Sequence, residues 1–268
     1  MKLVKIANLT FMLNNFSTQN RWNRFIVNEQ IDESGKIMVE IGSKPFCAYR
    51  NIEVYEIFSQ NDYIIRREAD MMLVNEDWSK SYILPLNDFE NETAFFLQIF
   101  YTHAVRRHMI QLHASIIALG NQGILFLGPS GIGKTTQAEL WQCYRNAIIV
   151  NGDVAFVQET PEAFLGWGTP WHGSSPYCEN TSVPLKAMIV LKQAPENSIR
   201  ELTGFEKVTA VSNNVFYPRW LENGMELCLE TLDHLLSRIP VYELSCRPDE
   251  EAVKLTEETI FGGGSVSD

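Results

Sequence analysis

The 268-residue chain contains no uninterrupted apolar run of about 18 residues, the length a membrane-spanning helix needs. Lys5 and Asn8 also break the N-terminal stretch MKLVKIANLTFMLNNF too early for the core of a secretion signal. Neither a transmembrane segment nor a signal peptide is expected, and the expected compartment is the reducing cytoplasm. Cysteine is sparse: Cys47, Cys143, Cys178, Cys228 and Cys246 are an odd number, widely spread, with no CxxC pair. Neither a disulfide framework nor a zinc site is indicated. Positive charge is short as well, 22 Lys and Arg against 33 Asp and Glu for a net of −11. Such a surface repels a phosphate backbone or an anionic bilayer, so nucleic acid and membrane are not expected partners, although a local basic pocket can still hold one small phosphate ligand. Low-complexity tracts and internal repeats are absent, and Gly (16) and Pro (11) are few. What is present, 45% hydrophobic and 11% aromatic residues, is enough for a substantial core. At about 150 residues per domain, the length suits one large domain or a catalytic domain with a smaller companion.

From Lys36 to Leu84 the chain alternates in short β-rich runs, Lys36–Ile41, Ile52–Phe58, Tyr63–Arg66 and Met71–Val74, separated by polar turns at Ser59–Asp62 and Asn75–Asp77. At Asn87–Thr93 a polar, acidic stretch with Asn91 as N-cap opens an apolar-periodic segment, Ala94–Gln111, that predicts a helix. The expected boundary therefore falls between a β-rich N-terminal domain, residues 1–90, and a second domain, residues 91–268. Two strands joined by a Gly-Asn-Gln-Gly turn follow, Leu112–Leu119 and Gly123–Leu127. A helix over Lys134–Cys143 and strands over Ala147–Val150 and Ala187–Leu191 come next. Helices near Thr203–Val211 and Met225–Leu236, a strand Val241–Ser245 and a helix Asp249–Ile260 entered by Pro248 complete the pattern. The expected class is α/β, a mixed sheet flanked by helices, with a smaller β-rich N-terminal domain.

The segment Gly128, Pro129, Ser130, Gly131, Ile132, Gly133, Lys134, Thr135, Thr136 fits GxxxxGK[ST], and it sits between an apolar strand and a helix as that motif must. Its glycines let successive backbone N–H groups curl around phosphate oxygens, and the positive end of the following helix dipole stabilises the same charge. Lys134 can reach β- and γ-phosphates, and the Thr135 hydroxyl can ligate Mg²⁺. Neither a base-reading NKxD nor an LSGGQ-like signature follows. The next strand runs instead into Asn151-Gly152-Asp153, 19 positions after Lys134. A carboxylate there can share a metal with Thr135 or take the proton of an attacking hydroxyl; the other account is a turn aspartate.

The run LHASIIALGNQGILFLGPSGIGKTTQAELWQCYRNAIIVNGDVAFV, residues 112–157, resembles the C-terminal kinase domain of HPr kinase/phosphorylase, itself similar to the nucleotide site of phosphoenolpyruvate carboxykinase. His113-Ala-Ser, Gly168-Thr-Pro-Trp-His172-Gly173, Pro184-Leu-Lys-Ala and Ile239-Pro-Val-Tyr resemble more closely the stand-alone HPr-kinase-like proteins found beside ribosomal-peptide biosynthesis genes, some of which phosphorylate a precursor peptide on serine. The resemblance covers about residues 93–260. It implies ATP and Mg²⁺ as cofactors and Gly128–Thr136 as the phosphate loop. By the same likeness His113 is the family histidine near the phosphates, and Asp153 is one of the family's paired aspartates. Lys134, His113 and Asp153 are thus the expected catalytic residues, with Thr135 and Asp153 as metal ligands. Gly152 departs from the pattern, because the bifunctional enzymes carry an acid there. No stretch matches their phosphorylase loop, and residues 1–90 do not resemble their N-terminal domain.

The expected function is an ATP-dependent serine kinase acting on a peptide or protein, with residues 1–90 contributing to acceptor recognition. Two alternatives stand beside it: a nucleotide-binding regulatory module without catalysis, and a small-molecule or carboxykinase-like phosphotransferase. Base preference and self-association are left open. Without the resemblance, His113 reads equally as a buried, hydrogen-bonded histidine. His172 can be a ligand contact or part of the packing of Trp167 and Trp171, and His103, His108 and His234 read as structural or exposed. Lys186 and Arg219 read as solvated charges.

Overall fold

The computed structural model describes residues 1–16, 20–28, 37–42, 47–49, 52–54, 62–67, 70–84 and 89–262. They form two compact units, residues 1–103 and 104–268. The architecture is the expected α/β one, with mixed sheets flanked by helices and a smaller β-rich N-terminal part.

In the first unit the strands are β1 (Lys2–Ile6), β2 (Leu9–Asn14), β3 (Ile26–Val27), β4 (Ile37–Ile41), β5 (Cys47–Tyr49), β6 (Ile52–Val54), β7 (Tyr63–Arg67), β8 (Asp70–Val74) and β9 (Lys80–Leu84). Seven of them make one sheet, in the order β3-β1-β2-β4-β9-β8-β7, and β5 and β6 pair separately. The sheet is mixed, since β2–β4 and β4–β9 are parallel. Helix α1 (Phe89–Val105) closes the unit. Phe96 meets Phe11 edge-on at 4.9 Å and stacks on Trp22 at 5.4 Å, so the apolar face of α1 is part of this core. That packing places α1 with the first unit as far as His103. The expected strands at Lys36–Ile41 and Ile52–Phe58 begin and end, respectively, outside the described residues.

Helix α1 also differs from expectation at both ends. Asn91 lies inside it rather than capping it, and the helix stops at Val105, six residues before Gln111. His108 takes a left-handed φ of 52° and turns the chain into β10 (Met109–Leu119). Met109 and Ile110 continue the helical spacing of α1 by sequence, yet both are fully buried as strand residues. Burial on both faces gives a near-continuous apolar strand that periodicity alone cannot tell from a buried helix.

The second unit continues with β11 (Gln122–Leu127), α2 (Lys134–Arg145), β12 (Ile148–Asn151), β13 (Val154–Glu159), β14 (Phe164–Trp167), β15 (Ser182–Gln193), β16 (Ser198–Leu202), α3 (Gly204–Ser212), β17 (Val215–Phe216), α4 (Gly224–Arg238), β18 (Val241–Cys246) and α5 (Glu250–Phe261). Its nine-stranded sheet is organised by β10. Ala114–Leu119 pair with β11 on one edge while Ile116–Ala118 pair with β12 on the other; Met109–His113 pair with β13. On the far side of β11, β15 is parallel to it, and β18 is parallel to β15. The carboxyl ends of β11, β15 and β18 therefore open on the same side, the usual place for a ligand in such sheets. Helices α2 and α5 cover the sheet: Ala138 and Trp141 from one, Ala252, Val253 and Ile260 from the other, pack on Ile117, Ile124, Phe126 and Ile189. Asp249 caps α5 by accepting from Ala252 N–H at 3.0 Å, just after the expected Pro248. Among the described residues, no helix is long and apolar enough to cross a membrane.

Candidate functional site

Strand β11 delivers the chain to Gly128, and α2 takes it up at Lys134. The loop between them needs φ of 79° at Gly131 and 113° at Gly133, values that a side chain would strain. Its entry is anchored from afar. Gly128 N–H donates to Asn214 Oδ1 at 3.1 Å, and the Asn214 carbonyl accepts from His113 N–H at 2.8 Å. Asn214 thus ties the start of the loop to the point on β10 where pairing with β17 gives way to pairing with β11. It stands 86 residues from Gly128 and belongs to no motif, so nothing local in the sequence marks it.

Lys134 is 5% exposed although charged. Its Nζ donates to the carbonyls of Gly128 at 3.0 Å and Pro129 at 3.2 Å and faces His113 Nε2 at 3.0 Å. Burial pushes its pKa below the usual lysine value, and the nearby negative charge of Asp153 pulls partly the other way. The same His113 Nε2 lies 3.0 Å from Asp153 Oδ1. One ring nitrogen cannot serve both neighbours at once: accepting from the ammonium requires it bare, and donating to the carboxylate requires a proton on it. The three expected catalytic residues are therefore in direct contact, and the proton on His113 is tied to where Lys134 points.

Asp153 is fixed by the turn that carries it. The strand ends at Asn151 rather than at Asp153, and β13 restarts at Val154. Asn151, fully buried, accepts from the N–H groups of Asp153 and Val154, each at 3.0 Å, and its amide donates to the carbonyls of Thr169 and Trp171 at 3.2 and 2.9 Å. Ala114 N–H donates to the Asp153 carbonyl at 3.0 Å. Behind the carboxylate runs Gly173, where a Cβ would stand 2.0 Å from Asp153 Oδ2. The Gly168–Gly173 segment thus supplies backbone to the site. His172, 8% exposed, turns its Nδ1 to the carbonyl of Ser175 within its own loop.

Gly152 has a structural reason that the sequence does not show. A Cβ on it would fall 1.8 Å from Ser175 Oγ and 2.5 Å from Ser175 Cβ. The space that a side chain at position 152 would need is filled by Ser175.

Thr135 Oγ1 donates to the Gly152 carbonyl at 3.3 Å, so its hydroxyl reaches the residue preceding Asp153. A magnesium ion in phosphoryl transfer takes one or two protein oxygens and completes its shell with water and phosphate. Thr135 and Asp153 fit that demand. Among the described residues, no three His, Cys, Asp or Glu side chains gather as a cage of protein ligands. The other histidines lie elsewhere: His103 meets the Trp78 carbonyl at 2.9 Å, and His234 pairs with Glu159 at 2.9 Å, which holds its pKa above the ordinary imidazole value. Lys186 and Arg219 are exposed.

The family model described as "SynChlorMet cassette protein ScmC" matches residues 90–248, more than half of the chain. The chain belongs to this family. The matched region carries the glycine-rich loop, His113, Asp153, the Gly168–Gly173 segment and Asn214. No curated protein matches the chain. Among solved structures, it is similar to the Hpr(Ser) kinase/phosphatase of Coxiella burnetii, with 12% identity and a TM-score of 0.34, over 56% of this chain and 95% of that one.

Proposed function

We propose that the protein is an ATP-dependent kinase that transfers the γ-phosphoryl group to the hydroxyl of a serine in a peptide or protein. The observation that carries this reading is the contact of Lys134, His113 and Asp153 at the mouth of the glycine-rich loop. Phosphoryl transfer asks a protein for little covalent chemistry and much positioning and charge, and a cation, an imidazole and a carboxylate around a turn of backbone donors supply both.

The backbone N–H groups from Gly131 to Thr136 hold the phosphate chain. Lys134 leaves the Gly128 and Pro129 carbonyls for the β- and γ-phosphate oxygens. Its departure lets His113 Nε2 carry a proton and donate to Asp153 Oδ1. Thr135 and Asp153 would hold a magnesium ion, which would supply charge compensation for the phosphates. Asp153 takes the proton of the acceptor hydroxyl as its oxygen bonds to the γ-phosphorus, the bond from that phosphorus to the β–γ bridging oxygen breaks, and ADP keeps the electron pair. With 31% of its side chain exposed, Asp153 can return the proton to water. A serine acceptor is supported by the likeness to precursor-peptide kinases, and a family described as a cassette protein fits an acceptor encoded nearby. The second reading, a nucleotide-gated module without catalysis, is favoured by Gly152, which leaves one carboxylate at the strand break.

Asp153→Asn separates the two. It keeps the size of the side chain and removes its charge, so phosphate transfer from labelled ATP to serine-containing peptides encoded beside the gene is expected to fall about 10²–10⁴-fold, while nucleotide still binds. Millimolar Mg-ATP is expected to raise the melting temperature of both proteins, equivalent to about 2.7 kcal/mol at a hundredfold excess over Kd, and Lys134→Ala to lose most of that shift. Transfer by Asp153→Asn at near wild-type rate refutes the role given to Asp153. An unchanged melting temperature of the wild type refutes nucleotide binding.

A further inference from the structure

The seven-stranded sheet of the first unit ends on β7. All five residues of β7 pair with β8 in continuous register, from Tyr63 opposite Val74 to Arg67 opposite Asp70, with no bulge. Its outer side pairs with no described strand. On the inner side the strand is held firmly. Met72 and Val74 of β8 are fully buried; just before β7, Asp62 N–H donates to the Val74 carbonyl at 2.9 Å, and Asp62 Oδ2 accepts from Glu76 N–H at 2.7 Å. The Tyr63 ring lies 6.4 Å from that of Trp78, which is itself buried. At the opposite edge, β3 has only two residues, too few to template another strand. Strand β7 is apolar at its start and basic at its end. Tyr63 is 46% exposed and Ile64 65%, while Arg66 and Arg67 are both exposed with no ion-pair partner among the described residues.

We propose that β7 is a docking edge for the acceptor peptide, which adds an extended acidic segment, separate from its serine, to this sheet as a further strand. The assignment rests on the kinase reading above, which supplies the identity of the occupant. An edge strand turns the N–H and C=O groups of alternate residues away from its sheet, and an extended chain laid against them satisfies both. Side chains of the incoming strand then stand beside those of β7 on the same face. Ile64 and Arg66 share one face, Tyr63 and Arg67 the other. Each face therefore asks for an apolar side chain at one end and a carboxylate at the other. Net charge points the same way: in a chain of −11, two adjacent unpaired guanidiniums form a local positive site that attracts an acidic strand and repels the β7 of a second copy. A purely protective edge would not leave Tyr63 and Ile64 open.

The probe is a fluorescein-labelled peptide built around Glu-Glu-Thr-Val-Val, an order that in antiparallel pairing sets its acids against Arg67 and Arg66 and its valines against Ile64 and Tyr63. The control carries Lys-Lys-Thr-Val-Val. By fluorescence anisotropy the full chain is expected to bind the acidic peptide about tenfold or more tightly than the basic one, and Arg66→Glu/Arg67→Glu to reverse that preference. N-methylation of alternate residues of the acidic peptide, made in both registers, is expected to weaken binding about tenfold in one register, because it removes backbone donors and leaves the charge. With the serine-containing peptides encoded beside the gene, the double variant is expected to raise acceptor KM about threefold to tenfold and to leave kcat and Mg-ATP affinity unchanged. Full binding of both methylated peptides overturns strand addition. Absence of a charge preference, or an unchanged acceptor KM, overturns the docking edge. A wild-type dimer in size-exclusion chromatography that Ile64→Lys splits gives the edge to a second copy and overturns the proposal as well. If wild type transfers no phosphate while the acidic peptide binds and the double variant reverses the preference, the kinase reading fails and takes the acceptor assignment with it, and β7 stands as a site for acidic strands.

Discussion

Replacing Gly152 by aspartate would add, on paper, a second carboxylate next to Asp153, yet the first atom of that side chain would stand 1.8 Å from Ser175 Oγ. Ser175 is itself buried, and Tyr177 N–H donates to its hydroxyl at 3.3 Å, so the obstacle is not the free end of a flexible chain. Gly152→Asp is therefore expected to destabilise by about 1–3 kcal/mol, read as a fall of several degrees in melting temperature, with no gain in phosphate transfer. Removing the obstacle in Gly152→Asp/Ser175→Gly is expected to recover most of the loss. A single variant that melts like wild type and transfers phosphate faster would show instead that the loop yields easily and that the missing acid limits the rate. Position 152 acquires its meaning only with its neighbour: glycine and Ser175 form one packing unit, though 23 residues separate them in sequence.

The element that assembles the site is β10, whose two edges change partners around His113, and its connection to the glycine-rich loop passes through Asn214 at the entry to β17. Asn214 is 8% exposed, and its amide also donates to the Ala210 carbonyl at 2.9 Å, which sets the orientation of Oδ1 toward Gly128 N–H. Asn214→Ala leaves that N–H buried and unpaired, an expected cost of about 1–3 kcal/mol. Because the loosened residue opens the phosphate loop, KM for ATP is expected to rise as well; Asn214→Asp, which retains an acceptor oxygen, is expected to keep more of the affinity than alanine does. Equal KM values for wild type and Asn214→Ala would reduce the contact to a structural one. Asn214 also shows where reading the sequence stops. The loop, Lys134, His113 and Asp153 are legible because their spacing belongs to one contiguous strand–loop–helix–strand stretch. Helices α2 to α5 are legible from apolar periodicity and from the entry signal at Pro248. Gly173, Ser175 and Asn214 act through contacts that sequence distance hides, and the short strands β14, β16 and β17 carry too few residues to show a period. The end of α1 was illegible for a different reason: Met109 and Ile110 satisfy a helical and a buried-strand pattern alike.

At the scale of the whole chain, the division after His103 makes the choice of truncation decisive. A chain starting at Asn91 keeps most of α1 and loses the sheet on which Phe96 and Phe100 pack, Phe11 lying 4.9 and 6.0 Å from their rings. Each buried phenylalanine contributes roughly 1.5–3 kcal/mol relative to exposure, so a helix stripped of its partner presents an adhesive face. A chain starting at Ala104 loses α1 together with its sheet and keeps the loop, His113, Asp153 and Asn214. The Asn91 chain is expected to aggregate in size-exclusion chromatography. The Ala104 chain is expected to stay dispersed, to retain its circular dichroism and to bind Mg-ATP with wild-type affinity. Phosphorylation of the acceptor is a separate matter, since a phosphate loop with its base specifies no substrate by itself. If residues 1–103 recognise the acceptor, the Ala104 chain binds nucleotide normally and transfers no phosphate to the peptide that the full chain modifies. Full transfer by that chain would place acceptor recognition wholly within residues 104–268 and leave the β-rich unit without a part in the reaction.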